Sequence, residues 1–166
     1  MILGMSTETY TLIHVLISFV GIASGLMLVL GFLTGKRFDG MTAIFLVTTV
    51  LTSVTGFGFP FDHLSPAHKV GIISLAVLAI AILARYLYHL RGSWRGIYVV
   101  TSIIALYLNV FVAVVQAFEK VPALKALAPT QSEPPFLIAQ IAVLLIFIAI
   151  TIFANKKFRP DTLRVA

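Results

Sequence analysis

The sequence predicts an all-α, polytopic transmembrane bundle of five helices, with the amino terminus outside and the carboxyl terminus in the cytoplasm. Three observations carry this reading. The 166 residues are 60% hydrophobic and only 11% charged, with a mean hydropathy of +1.06, and twelve basic plus six acidic side chains cannot supply the polar surface that a soluble domain needs. Five uncharged runs each approach the roughly 20 helical residues that cross a hydrocarbon layer of about 30 Å. Basic residues collect between alternate runs, which is how membrane topology is written.

The first run covers about 10–34. No basic region precedes it in MILGMSTETY, so it is expected to persist as a helix rather than be removed as a signal peptide. The second covers about 41–59 and ends in Gly-Phe-Gly-Phe-Pro. The third covers about 67–90, and Arg85 with His89 near its end is expected to reach the interface by snorkelling. The fourth and fifth cover about 97–118 and 136–154. Gly35 and Gly40, Pro60 and Pro66, Gly92 and Gly96, and then Pro129, Pro134 and Pro135 mark the connections. The longest connection contains VPALKAL, read as a short amphipathic turn at the membrane surface, and then the Pro-rich APTQSEPP. Neither an internal repeat nor a cytoplasmic insertion divides the chain, so residues 1–166 form one helical domain.

Lys36, Arg37, Arg85, Arg91, Arg95, Lys156, Lys157, Arg159 and Arg164 fall on one side; Lys69, Lys120 and Lys125 fall on the other, with Glu8, Asp62, Glu119 and Glu133. The positive-inside rule then sets the orientation. The same placement turns the net charge of +6 into a topology signal and argues against nucleic acid as a partner. Absence of cysteine rules out disulfides, thiolate metal sites and cysteine nucleophiles. The expected partner is the lipid bilayer, with a membrane-protein partner or a homo-oligomer as further candidates. No intramembrane acid, P-loop or Gly-rich dinucleotide turn is present.

Polar residues within the runs are costly to bury and mark the bundle interior. His14, Ser18, Gly21 and Gly25 share one face of the first helix, and Ser102, Ala105, Asn109 and Gln116 share one of the fourth. Gln140, Phe147 and Thr151 do the same on the fifth. The GxxxG at Gly21 and Gly25 is read as packing within this chain. Tyr86, Tyr88, Trp94 and Tyr98 are read as an aromatic belt at the cytoplasmic interface. His14, Thr52, Ser53, Thr55, His68, Gln116 and Gln140 all lie within two or three turns of the outer surface on this topology. They are expected to frame an outward-facing polar pocket, with Asp62, His63 and Glu133 above it.

Imidazole is the usual axial ligand of b-type haem and a common metal ligand. His14 and His68 are the one pair placed to ligate a haem; His14, His63 and His68 are the candidate metal ligands; Gln116, Gln140, Thr52 and Ser53 are candidate ligand-binding side chains beside them. The plainer alternative has His14 bonded to a neighbouring helix and the other two histidines solvated. His89 has no histidine partner at its own depth, so a second haem is not supported.

The segment 106–136, LYLNVFVAVVQAFEKVPALKALAPTQSEPPF, resembles one found in a family of uncharacterised small multi-helix inner-membrane proteins of Gram-negative bacteria, from which no activity carries over. The helix count with His14 and His68 is also similar to the small b-type cytochromes of the cytoplasmic membrane. That resemblance implies haem b held between helices and electron exchange with quinone. The expectation is therefore a bacterial inner-membrane protein with a periplasm-side pocket for haem b or quinone. The alternative is a non-enzymatic transporter of a small solute or metal, or an accessory subunit of a larger membrane complex.

Overall fold

Ser6 opens the first helix because its hydroxyl takes the Thr9 backbone N–H at 3.1 Å, satisfying one of the donors that a helix start leaves bare. In the computed structural model, which describes residues 2–60 and 66–159, α1 runs Thr7–Thr34. It stops at Gly35, where φ is 69°, a left-handed conformation that suits glycine, and Lys36 N–H closes onto Gly31 O at 2.9 Å. Next come α2 (Asp39–Gly56), α3 (Pro66–Ile82), α4 (Trp94–Lys120), the short α5 (Pro122–Leu127) and α6 (Pro134–Lys157). Pro122 and Pro134 occupy first helical turns, where the missing N–H costs nothing.

The five long helices, with α3 counted together with the turn that continues it to Leu87, start and finish within about three residues of the sequence expectation, and each is long and apolar enough to cross a membrane. The shortest, α2, has 18 residues and so spans about 27 Å. VPALKAL does form a helical turn, α5. Among the described residues there is no strand, only a bridge between Ile2 and Met5.

Helix contacts run α1 to α2, α2 to α3, α3 to α4 and α4 back to α1. These four close a ring in which α1 and α3 stand diagonally, with α2 between them. Outside the ring, α6 lies in the groove between α4 and α1, and α5 folds back on α4. One end of the bundle carries Tyr10 and the other Arg85; they are called the Tyr10 end and the Arg85 end below.

The two halves differ. The main apolar core consists of Leu28 and Phe32 of α1, Phe45 and Leu46 of α2, Leu78 and Ala81 of α3, and Tyr98 to Leu106 of α4, closed by Phe147 and Phe158. All of these lie from the middle of the bundle to the Arg85 end. Toward the Tyr10 end the buried positions include Thr49, Ser53, His68, Ser74 and Gln140. Around the outside, Phe19, Leu30, Val47, Ile73, Leu145 and Phe153 are among many large apolar side chains left bare.

The carboxyl end of α3 departs from the sequence reading. Residues Leu83–Leu87 form a π-helical turn, in which Tyr88 N–H bonds Leu83 O at 3.0 Å. The wider turn resets the side-chain register. Arg85 does not snorkel outward: it is 7% exposed, bonds Asp39 across the bundle, and lies 5.4 Å from the centre of the Tyr98 ring. Tyr98 likewise leaves the aromatic belt. It is fully buried, edge-on to Phe32, with its hydroxyl donating to Thr42 Oγ1 at 3.3 Å. Tyr88 and Trp94 remain at the surface of that end, stacked with ring centres 3.8 Å apart.

Candidate functional site

At the Tyr10 end, α1 and α2 are joined through one residue, Thr55. The Tyr10 hydroxyl donates to the Thr55 carbonyl at 2.8 Å, and His14 Nδ1 lies 2.7 Å from Thr55 Oγ1. Phe59 packs edge-on against both rings, at 5.1 Å from Tyr10 and 5.3 Å from His14. Gly58 makes room for this arrangement, since a Cβ there would stand 2.1 Å from the Tyr10 hydroxyl.

The Thr55 contact decides the state of His14. A threonine hydroxyl has one hydrogen, and that of Thr55 goes to Leu51 O at 2.7 Å, with Thr52 O at 3.2 Å sharing it. Thr55 Oγ1 therefore accepts from His14, so the neutral imidazole carries its hydrogen on Nδ1. Nε2 then presents a lone pair. It makes no hydrogen bond to any of the described residues.

The other expected side chains divide among separate seams. Ser53 Oγ bonds Thr49 O at 3.0 Å and Ser74 Oγ at 3.1 Å, tying α2 to α3. In that seam His68 is buried, and its ring centre lies 5.5 Å from that of Phe57. Gln140 on α6 donates to Phe111 O of α4 at 3.3 Å, while its Oε1 is buried without a hydrogen-bond partner among the described residues. Thr52 Oγ1 is also buried without one. Gln116 turns along its own helix to Glu119, 3.2 Å away.

The structure thus brings His14 to Thr55 and Ser53 to Ser74. The two histidines meet different rings, His14 that of Phe59 and His68 that of Phe57. His63 and Asp62 lie outside the described residues, and with His63 the three-histidine set. Among the described residues no three His, Asp or Glu side chains gather as a metal site.

Deeper in the same half, Thr49 Oγ1 and Asn109 Nδ2 are buried with no hydrogen-bond partner among the described residues. Both lie 3.4 Å from where a Cβ on Gly21 would stand, and Thr48 Oγ1 lies 3.3 Å from it. Gly21 therefore lets α1 approach the polar faces of α2 and α4. The sequence placed Gly21 and Asn109 on inward faces but held no sign that they meet, because that depends on which faces of the ring oppose each other.

A second polar group, which the sequence did not mark, lies at the Arg85 end. Asp39 accepts from Arg85 and, at 3.5 Å, from Arg37. Tyr98 and Thr42 continue the group inward. Arg95 fastens the nearby end of α6, donating to Asn155 O at 2.9 Å and to Phe158 O.

Compared with known proteins, the chain matches no family model, no curated protein and no solved structure.

Proposed function

We propose that this is a multi-pass protein of the bacterial inner membrane that holds a redox ligand, haem b or a quinone, through His14 in the polar half of its bundle. The Tyr10 end faces the periplasm and the Arg85 end the cytoplasm in this reading. Bare apolar surface on all five long helices supports insertion, because lipid takes the place of the missing polar coat. Lys36, Arg37, Arg91, Arg95, Lys156 and Lys157 all lie at the Arg85 end, which supports the orientation.

The observation that carries the ligand assignment is the tautomer of His14. A histidine held by Nδ1–H to a fixed oxygen, with Nε2 left as a lone pair, is in the form that iron binds, and the oxygen acts as the orienting partner. The same lone pair accepts the hydroxyl of a reduced quinone. Haem, when bound, supplies one-electron transfer. The chain's own part is to orient the imidazole through Thr55, to cover one side of it with Phe59 and to keep the ring half-buried. The assignment rests on His14, whose hydrogen-bonding state the Thr55 contact fixes.

The test is the visible spectrum of detergent-purified protein expressed with ample haem, together with an organic extract assayed for quinone. A Soret band, or bound quinone, that is lost in His14→Ala and weakened in Thr55→Val supports the reading. Colourless, quinone-free wild-type protein overturns it.

An accessory role in a larger complex is the second reading, favoured by α6. Only 11% of its apolar window is buried, which leaves the broadest bare helical face on the bundle for another membrane protein.

A further inference from the structure

The polar group at the Arg85 end takes no part in the redox reading, and it is built around a helix start. α2 begins at Asp39 after Phe38, whose side chain does not cap it. The backbone N–H groups of Asp39, Gly40 and Met41 have no acceptor within their own helix, and no side chain among the described residues supplies one. The first bond of the helix is Thr42 N–H to Phe38 O at 2.8 Å. The space beside Gly40 is open, since a Cβ there would meet nothing within 4 Å. An uncapped start of this kind offers free donors and partial positive charge to an anion.

Two guanidinium groups converge on the same place. Asp39 Oδ1 accepts from both, from Arg85 through Nη2 and from Arg37 through Nε at 3.5 Å. In an arginine, Nε–H and one Nη2–H form a single edge of the planar fork and point the same way. The Arg85 Nε–H therefore faces the start of α2 as well. It is buried with no hydrogen-bond partner among the described residues, in a side chain only 6% exposed. Arg37 is 45% exposed, and its two terminal nitrogens have no partner among the described residues.

The charges there do not cancel. Arg37, Arg85 and the neighbouring Lys36 stand against the single carboxylate of Asp39. The buried guanidinium is also held in advance, between the rings of Tyr86 at 5.6 Å and Tyr98 at 5.4 Å, so little binding energy goes into ordering it. Apolar surface continues along the two elements that meet here: Met41 and Ile44 of α2 are bare, and so are Leu83 and Leu87 in the turn that continues α3.

We propose that the start of α2 binds the phosphate of an anionic phospholipid. The N–H groups of Gly40 and Met41, the fork of Arg37 and the Arg85 Nε–H take the phosphate oxygens, and the acyl chains follow the bare apolar side chains of α2 and the end of α3. A zwitterionic headgroup brings its own cation beside two arginines, and the Asp39 carboxylate is already held by both of them, so a headgroup of net negative charge gains more. The site rests on the membrane reading given above and not on the redox ligand; in that orientation it lies in the cytoplasmic leaflet.

Phosphatidylglycerol is the probe, added to the full-length protein in neutral detergent and counted by native mass spectrometry, with phosphatidylcholine of the same acyl chains as the reference. One phosphatidylglycerol is expected to be retained with at least about tenfold preference. Arg37→Gln should weaken its binding about tenfold. Asp39→Asn, which removes the competing carboxylate, should strengthen it, with far-UV circular dichroism showing both variants folded. Lys156→Gln, which removes a charge at the same end from α6, a helix packed on α4 and α1, should leave it unchanged. Equal retention of the two lipids, an Arg37→Gln protein that binds like wild type, or a loss in Lys156→Gln as large as that in Arg37→Gln would overturn the site. Displacement of the lipid by equimolar glycerol 3-phosphate would overturn the lipid assignment in favour of a free phosphate. A protein that enters nanodiscs of either lipid without preference loses only this site, whereas one that enters neither loses the membrane reading with it.

Discussion

Replacing Gly25 by alanine would put a methyl carbon 2.6 Å from Leu106 Cδ1 and 2.9 Å from two carbons of the Phe45 ring. The first distance is about 0.9 Å inside the shortest comfortable carbon–carbon separation of about 3.5 Å. Both neighbours are side chains, but neither has space to retreat: Phe45 is 0% and Leu106 1% exposed. Overpacking of this kind costs about 1–3 kcal/mol, and the better helix propensity of alanine returns up to about 1 kcal/mol. Gly25→Ala is therefore expected to lose up to roughly 2 kcal/mol. One turn away, Gly21→Ala meets Thr48, Thr49 and Asn109 at 3.3–3.4 Å, contacts that a few tenths of an ångström relieve. Its net change should be close to zero. Unfolding in mixed micelles with a rising fraction of dodecyl sulfate, followed by far-UV circular dichroism, measures both variants. If Gly25→Ala is as stable as Gly21→Ala, α1 does not pack against α2 and α4 as described.

Asp39→Asn should cost about 1–3 kcal/mol in the same unfolding assay, between the values for exposed and buried ion pairs, because Arg85 is enclosed while the Asp39 side chain is 67% exposed. Arg85→Met should cost less than Asp39→Asn, since it removes the buried charge together with its need for a partner; the opposite order would show that Arg85 acts through packing on Tyr98 and not through its charge. Desolvation, the largest single influence, raises the Glu133 carboxyl, but hydrogen bonds from backbone N–H groups and the Thr130 hydroxyl together outweigh it and hold the group below the usual 4.5. Its hold on the turn is thus complete above that value and is lost as pH falls through the depressed pKa. Hydrogen exchange at the Thr130 and Ser132 amides should quicken, relative to the intrinsic rate, only under such acid conditions in wild type and at every pH in Glu133→Gln.

The helices were legible because an uncharged run of some twenty residues has few other stable forms, and their ends drifted by a few residues because caps such as Ser6 act locally. Depth was partly legible too: Ser53, His68 and Gln140 are buried in the half where the sequence put them, apart from the main apolar core. Their partners were not. Hydroxyls such as Ser53 and Thr55 bond the preceding turn of their own helix, so an inward face does not tell what it meets across the seam. Gln116 reached along α4 to Glu119 instead of across the bundle. Arg85 was misread because hydropathy treats a charge near a helix end as surface, and only the π turn, which periodicity assumes away, swings it in toward Asp39. Tyr98 was misread as a belt residue and Thr42 went unmarked for the same reason: each is ordinary until the ring closes around it.

The position of α6 bears on how the chain is assembled. The ring of α1 to α4 closes through the contact of α4 with α1, and every residue it needs is synthesised before residue 134. On the proposed membrane reading, the last helix would arrive at a finished scaffold and dock sideways from the lipid, as independently inserted helices do. Two catches receive it at opposite ends, Gln140 on the Phe111 carbonyl and Arg95 on the carbonyls of Asn155 and Phe158. Loosening either catch should release the helix without dismantling what it docked onto.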